Sequence, residues 1–248
     1  MIPKIIYKTG PFLEDELPEE INLIFEKTLK DNPGCELIYF NDQDCREFLI
    51  KNFNTEIINA YDSLVPSAYK ADLFRYCLLY QNGGIWSDLT QTFIEPIDTF
   101  IDFEEDDLIL VDGDFIPCAQ KKGIEIAFMA AKPRHDIYLS AINQVIQNVN
   151  LRYYGCSSFN PTGPIMFKEL VEFNKTKYKL DFVFKRLDSK SVNEDFICYK
   201  NKPIIKTRSI NHGTYLYHNT NKIHYSILHR DKKIYRRIND SKKNIPNT

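Results

Sequence analysis

Between Ser67 and Thr90 the chain gathers an unusual set of groups. An acid and a guanidinium stand three residues apart (Asp72, Arg75), a glycine pair follows (Gly83-Gly84), and a tryptophan precedes another acid (Trp86, Asp88). If 67–81 is helical, Asp72 and Arg75 share one face and can pair. Their helical neighbours are largely apolar, so both charges should be partly buried, which is costly unless they meet each other or a polar ligand. A structural ion pair and a ligand-holding pair satisfy that condition equally. The glycine pair should stop the helix and turn the chain into a strand that ends near Asp88. In open α/β sheets, ligands bind just beyond the carboxyl ends of strands. An acid at that point suits Mg2+ or Mn2+, which commonly take one or two carboxylates together with substrate phosphates. Residues i and i+2 of a strand point to the same side, so Asp-x-Asp there would offer two carboxylates to one ion. This chain has Asp88-Leu89-Thr90, with no second acid.

The surrounding elements alternate between apolar runs and helical periods. Strands are predicted at 2–7, 36–40, 85–89, 108–111 and 126–130. Helices are predicted over Leu17–Leu29, from Asn41 or Asp42 through Leu49, and over 55–64, Ser67–Gln81, 137–149 and 164–173. Short β segments at 182–187, 196–199, 204–207 and 215–217 complete the chain. This order predicts an α/β fold, a mostly parallel sheet covered by helices, with an irregular β-rich C-terminal third. A single domain over 1–248 is expected, in two halves (1–115 and 116–229) followed by a basic tail (230–248).

Composition bounds the function. The 248 residues are 43% hydrophobic and 27% charged, enough to build a sizeable core, and the net charge of −2 argues against a nucleic-acid binder. Seven Lys or Arg against two Asp give the stretch from Arg230 to Thr248 a local +5, leaving −7 for the rest. That tail either closes over a diphosphate, meets an acidic surface, or is a solvated, frayed end. The longest uncharged stretch, Ile137 to Leu151, is too short and polar to span a membrane. The residues from Ile2 to Tyr7 read as a core strand rather than a leader. Six scattered cysteines without a C-x-x-C pair suggest reduced thiols and neither zinc nor a disulfide framework, hence a cytoplasmic chain.

Helix, double glycine, aromatic and acidic strand together resemble the signature of glycosyltransferase family 32, the DXD-motif sugar transferases. That family includes yeast-type mannosyltransferases and capsular polysaccharide synthesis proteins. The stretch from Ile2 to Thr9 is similar to the family's first strand. Asn32-Pro33-Gly34 through Cys45 is similar to its second strand and following turn, and Thr162-Gly163-Pro164 to a recurring family turn. The resemblance is good over roughly 1–100, patchy to 170 and thin beyond. It implies a GT-A fold, with 1–115 as the nucleotide-sugar-binding half and 116–229 as the acceptor-side half, and transfer of a hexose or N-acetylhexosamine from a UDP- or GDP-sugar, with retention of configuration, to a glycan, lipid or protein acceptor. It also implies that Asp72 and Arg75 hold donor-sugar hydroxyls, that Trp86 lies near the ribose and diphosphate, and that Asp88 is the first acid of the motif. Thr90 stands where the direct metal ligand is usual. That departure leaves open a catalytically impaired nucleotide-sugar-binding module, and slow hydrolysis of the donor is a further alternative.

Other segments offer candidate contacts. Tyr7, Lys8 and Thr9 end the first strand, where an aromatic can stack on a nucleobase, although a core tyrosine fits equally well. Lys70, Thr162 and Gly163 are further substrate-binding candidates. Asp112-Gly113-Asp114 either supplies the missing carboxylate or forms a β-turn. His218 or Asn219 is a candidate metal or phosphate ligand beside Asp88, or else a surface group. His224 and His229 are expected to be structural or solvated.

Overall fold

The structure, a computed structural model, describes residues 1–189, 192–207 and 222–236. Nine strands form one sheet: β1 (Ile5–Thr9), β2 (Glu36–Phe40), β3 (Gly84–Ser87), β4 (Thr92–Phe93), β5 (Leu108–Ile116), β6 (Lys121–Ala131), β7 (Phe182–Ser189), β8 (Val192–Tyr199) and β9 (Lys202–Lys206). Their order across the sheet is β2-β1-β3-β6-β5-β7-β8-β9-β4. The expected parallel sheet is present in part. β1 pairs parallel with β2 and β3, and β5 pairs parallel with β7 at Asp112–Val183. The remaining pairings among these strands are antiparallel. The C-terminal third is β-rich as expected, but β7, β8 and β9 extend the common sheet as regular neighbours. Residues 215–217, His218 and Asn219 lie outside the described residues.

Among the described residues seven α-helices accompany the sheet: α1 (Glu19–Asp31), α2 (Asp42–Asn52), α3 (Thr55–Ser63), α4 (Ser67–Asn82), α5 (Asp136–Asn150), α6 (Pro164–Phe173) and α7 (Tyr225–Arg230). Asn41 caps α2 through a reciprocal box with Asp44. The period-two alternation of β1 and β3 divides the core. Tyr7 and Trp86 join the helix-side cluster, while Ile6 and Ile85 belong to the cluster on the opposite face. Strands covered on both faces leave side chains accessible only at their ends.

One junction decides where the site lies. α4 is buried along most of its length and ends at Gly83 (φ +65), followed by Gly84 (φ +93). A Cβ on Gly83 would sit 2.5 Å from Pro133 N, and one on Gly84 would sit 2.8 Å from the Tyr7 ring. Only glycine fits both the dihedrals and the space. From Arg75 to Gly83 the helix rises about 12 Å, and from Gly84 to Asp88 the chain returns about 13 Å. Arg75 and Asp88 therefore come level across the junction.

Candidate active site

Arg75 lies between two acids. Its Nη2 is 3.2 Å from Asp72 Oδ1, and its Nη1 is 3.5 Å from Asp88 Oδ1. The guanidinium also donates to the Ile126 carbonyl of β6 (2.5 Å) and stacks 4.7 Å over the Trp86 ring. Asp72 Oδ2 accepts from the Thr162 hydroxyl at 2.7 Å. Asp88 Oδ1 accepts from the Trp86 indole N–H at 2.9 Å, and the Asp88 side chain is 32% exposed. Burial pushes the Asp72 carboxyl up to about 6, against the pull of Arg75 and the Thr162 hydroxyl. Burial works against the charge on Arg75 too, but Asp88 and Asp72 outweigh it and hold that group above its ordinary value.

These groups form part of the wall of a cleft of about 1210 Å³. Thr9, Lys70 and Gly163 also line it, as do Asp114 and Glu125. Glu125 was not singled out in the sequence, because one acid in the charged strand Lys121–Ala131 carries no motif. It adds to the field that holds Arg75 charged.

Several expectations change at this resolution. The strand ends at Ser87, and Asp88–Gln91 is a turn closed by Gln91 N–H to the Asp88 carbonyl (3.0 Å). The strand rule relating positions i and i+2 therefore does not apply, and Thr90 is fully buried. Lys8 is also fully buried. Its ammonium donates to Ser87 Oγ (3.1 Å) and to the carbonyls of Asp88 (3.0 Å) and Gln91 (3.1 Å), so it fastens the turn from beneath and does not line the cleft. Burial draws that ammonium down to about 7, with Asp88 pulling the other way. Tyr7 is a core residue packed against Phe40. Trp86 is buried behind Asp88 and Arg75 and holds both, rather than presenting its face to the cleft. Thr162 is buried with its hydroxyl committed to Asp72, while its neighbour Gly163 borders the cleft.

Asp112-Gly113-Asp114 is not a turn but the bulged middle of β5. The irregularity separates the two acids: Asp112 accepts from the Tyr178 hydroxyl (3.0 Å), whereas Asp114 lines the cleft. Of the basic tail, residues 234–236 pair with the end of α3, with Arg236 N–H on the Ser63 carbonyl (2.8 Å), and residues 237–248 lie outside the described residues. His229 bonds the Tyr154 carbonyl, and His224 caps α7 while bordering the cleft.

The family model for the glycosyltransferase sugar-binding region containing a DXD motif matches residues 18–107. This stretch includes α4, the glycine junction and Asp88. Residues 18–107 are thus similar to a glycosyltransferase sugar-binding region. An uncharacterized glycosyltransferase of Acanthamoeba polyphaga mimivirus is 26% identical over 71% of this chain and 67% of its own length. Inositol phosphoceramide mannosyltransferase 3 of Schizosaccharomyces pombe is 33% identical over 36% of this chain, and the match spans only 24% of the yeast protein. Among solved structures, the PaToxG glycosyltransferase superposes with a TM-score of 0.52 at 13% identity, covering 70% of each chain. The resemblance to the DXD-motif transferases thus holds in sequence, and the α/β fold is of the GT-A kind. The matched stretch nevertheless reads Asp88-Leu89-Thr90, with no second acid two residues after Asp88.

Proposed function

We propose that the chain transfers a hexosyl or N-acetylhexosaminyl group from a UDP- or GDP-sugar to an acceptor, with retention of configuration. The observation that supports this reading is the convergence on one large cleft of Asp72, Arg75 and Asp88, all three from the stretch similar to a sugar-binding region. Asp72 and Arg75 have the paired acceptor and donor character that orients sugar hydroxyls. No carboxylate is identified as a covalent nucleophile, so same-face attack on an oxocarbenium-like donor is preferred to a covalent adduct.

The charge balance bears on the cofactor. With both acids ionised, Asp72, Arg75 and Asp88 together carry −1, and Glu125 and Asp114 border the same cleft. An incoming diphosphate therefore needs countercharge. Asp88 has one oxygen engaged by Trp86 and Arg75, and no group of three or more His, Cys, Asp or Glu suited to a metal occurs among the described residues. This donor set fits a Mn2+ or Mg2+ ion that draws most of its ligands from phosphate oxygens, and does not fit an all-protein cage. When bound, such an ion would neutralise charge on the departing diphosphate. Asp88 would be its ligand from the described residues. Lys70, which borders the cleft, would add positive charge, whereas the charge of Lys222 is met by Asp42.

The second reading, a binding module without turnover, is favoured by one observation: Thr90 is buried and offers no ligand in place of the usual acid. A thermal-shift screen of nucleotide sugars with and without manganese, followed by turnover assays, separates the two. Transfer predicts a donor-dependent rise in Tm that manganese enlarges, and turnover that falls about 100-fold or more in Asp88→Asn. Donor binding without turnover across donors and acceptors would establish the module, and consumption of donor without acceptor would establish hydrolysis.

A further inference from the structure

Two exposed cysteines meet at the border of the cleft. Cys156 Sγ donates to Cys118 Sγ at 2.9 Å, although the residues are 38 positions apart. The other four cysteines, Cys35, Cys45, Cys77 and Cys198, are buried or half-buried. The exposed pair joins two pieces of the cleft wall. Cys118 sits in the short turn Pro117–Ala119 between β5 and β6, directly after the cleft residues Ile116 and Pro117. Cys156 opens the loop that supplies Ser158, Phe159 and Gly163 to the opposite border.

That loop connects the sulfur pair to the charged site. Gly155 has φ +65, and a Cβ there would sit 2.3 Å from the Asn160 side chain. The Asn160 carbonyl oxygen accepts from Cys156 Sγ (3.3 Å), Ser157 N (3.0 Å) and Ser157 Oγ (3.2 Å), winding the loop around one buried amide. Two residues further on, Thr162 bonds Asp72, while its carbonyl accepts from the Tyr76 hydroxyl at 2.9 Å.

We propose that Cys118 and Cys156 are a redox-sensitive pair, and that their disulfide fastens the β5–β6 turn to the 155–163 loop and so holds the cleft wall in one position. The oxidant is a small-molecule disulfide of the glutathione type. The thiolate of one cysteine attacks it and releases one equivalent of thiol. The thiolate of the second cysteine then displaces the remaining small thiol, so the protein loses two protons and two electrons and the oxidant gains them. Closing a loop of this length restricts the unfolded chain, and the added constraint acts on the segment that presents Thr162 to Asp72.

The test treats the full chain with oxidised glutathione and maps thiols by alkylation and peptide mass spectrometry. The expected product is a Cys118–Cys156 cross-link, with the other four thiols still alkylatable once the chain is unfolded. Tm should rise on the order of 10 °C. Amide hydrogen exchange over 157–162 should slow at least several-fold, and dithiothreitol should reverse every change. Cys118→Ser and Cys156→Ser should each abolish the cross-link, whereas Cys35→Ser should retain it. Recovery of Cys118 and Cys156 as free thiols, or each capped by glutathione, overturns the pairing. A cross-link that leaves exchange over 157–162 unchanged overturns the fastening. Neither readout depends on the donor, the acceptor or turnover, so failure here is distinct from failure of the proposed transfer activity.

Discussion

At the scale of single residues, the site is a buried guanidinium shared by two carboxylates, and the more enclosed of these has its affinity for protons raised. An Asp with a folded-state pKa near 6 and an unfolded value of 3.8 binds its proton more tightly in the native protein. Stability contributed by the protonated form is therefore present at low pH and lost as pH rises from about 4 to about 6, with a total on the order of 3 kcal/mol. Asp72→Asn should flatten that part of the stability profile in denaturant titrations. If ionised Asp72 orients the sugar, wild-type turnover should rise as pH increases through about 6, and the variant should lose both rate and slope. A slope that persists in the variant would assign the titration elsewhere. Thr90 leads to a different prediction. Its side chain is fully buried, so Thr90→Asp would bury a carboxylate. The expected outcome is a lower Tm, by about 2 kcal/mol or more in stability, and no gain in manganese affinity. A tighter manganese titration would show that this position reaches the ion after all. The sequence made Asp72, Arg75 and Asp88 legible because helical spacing and the glycine stop are local rules. It did not reveal the burial of Thr90, because where β3 gives way to a turn depends on Lys8, 82 residues earlier.

At the scale of elements, the strand–turn unit β3–Gln91 is anchored by a neighbouring strand rather than by its own sequence. Lys8 closes three contacts beneath it, and Ser87 Oγ donates to the Gln91 side-chain oxygen at 2.9 Å. Lys8→Met keeps much of the volume but removes the donor to the Gln91 carbonyl and one of the two donors to the Asp88 carbonyl, which should cost about 1–3 kcal/mol in urea unfolding. The loss of turnover per folded molecule should exceed that of an equally destabilised variant remote from the cleft, because Asp88 sits on the turn that Lys8 holds. Equal losses would mean that Lys8 contributes only stability. A lysine within an apolar strand invites a substrate-binding interpretation, and period-two alternation alone cannot distinguish an internal clamp from a ligand contact. The short strand expectations at 108–111 and 126–130 have a related cause. β5 and β6 continue through Asp112, Asp114, Lys121, Lys122 and Glu125, whose charges interrupt the apolar run; Asp114 and Glu125 line the cleft, while Asp112 meets Tyr178 and Lys121 pairs with α6.

At the scale of the whole molecule, the sheet passes without a break from the first residues to the last described strand. β6 lies between β3 and β5, so the segment that ends at residue 115 contains two strands separated by a partner it lacks. The fragment 1–115 is therefore expected to be unfolded in isolation, by circular dichroism and the absence of a cooperative melt, whereas the full chain should melt in a single transition. A cooperative melt of the fragment would show that the nucleotide-side half is autonomous. The order of apolar runs announced an α/β protein, yet it could not give the antiparallel share of the sheet. That share depends on which non-neighbouring strands meet, and β3 finds β6 only after 33 intervening residues have folded elsewhere.

The tethering of Asp88 has a consequence for ion selectivity. With Oδ1 already occupied by the indole and the guanidinium, the carboxylate has only Oδ2 left to give. Calcium fills its large, loose shell partly through acids that grip with both oxygens, whereas magnesium accepts one oxygen per acid in a tight octahedron. A group limited to a single bond in this way would discriminate against calcium by denticity, without any narrowing of the entrance.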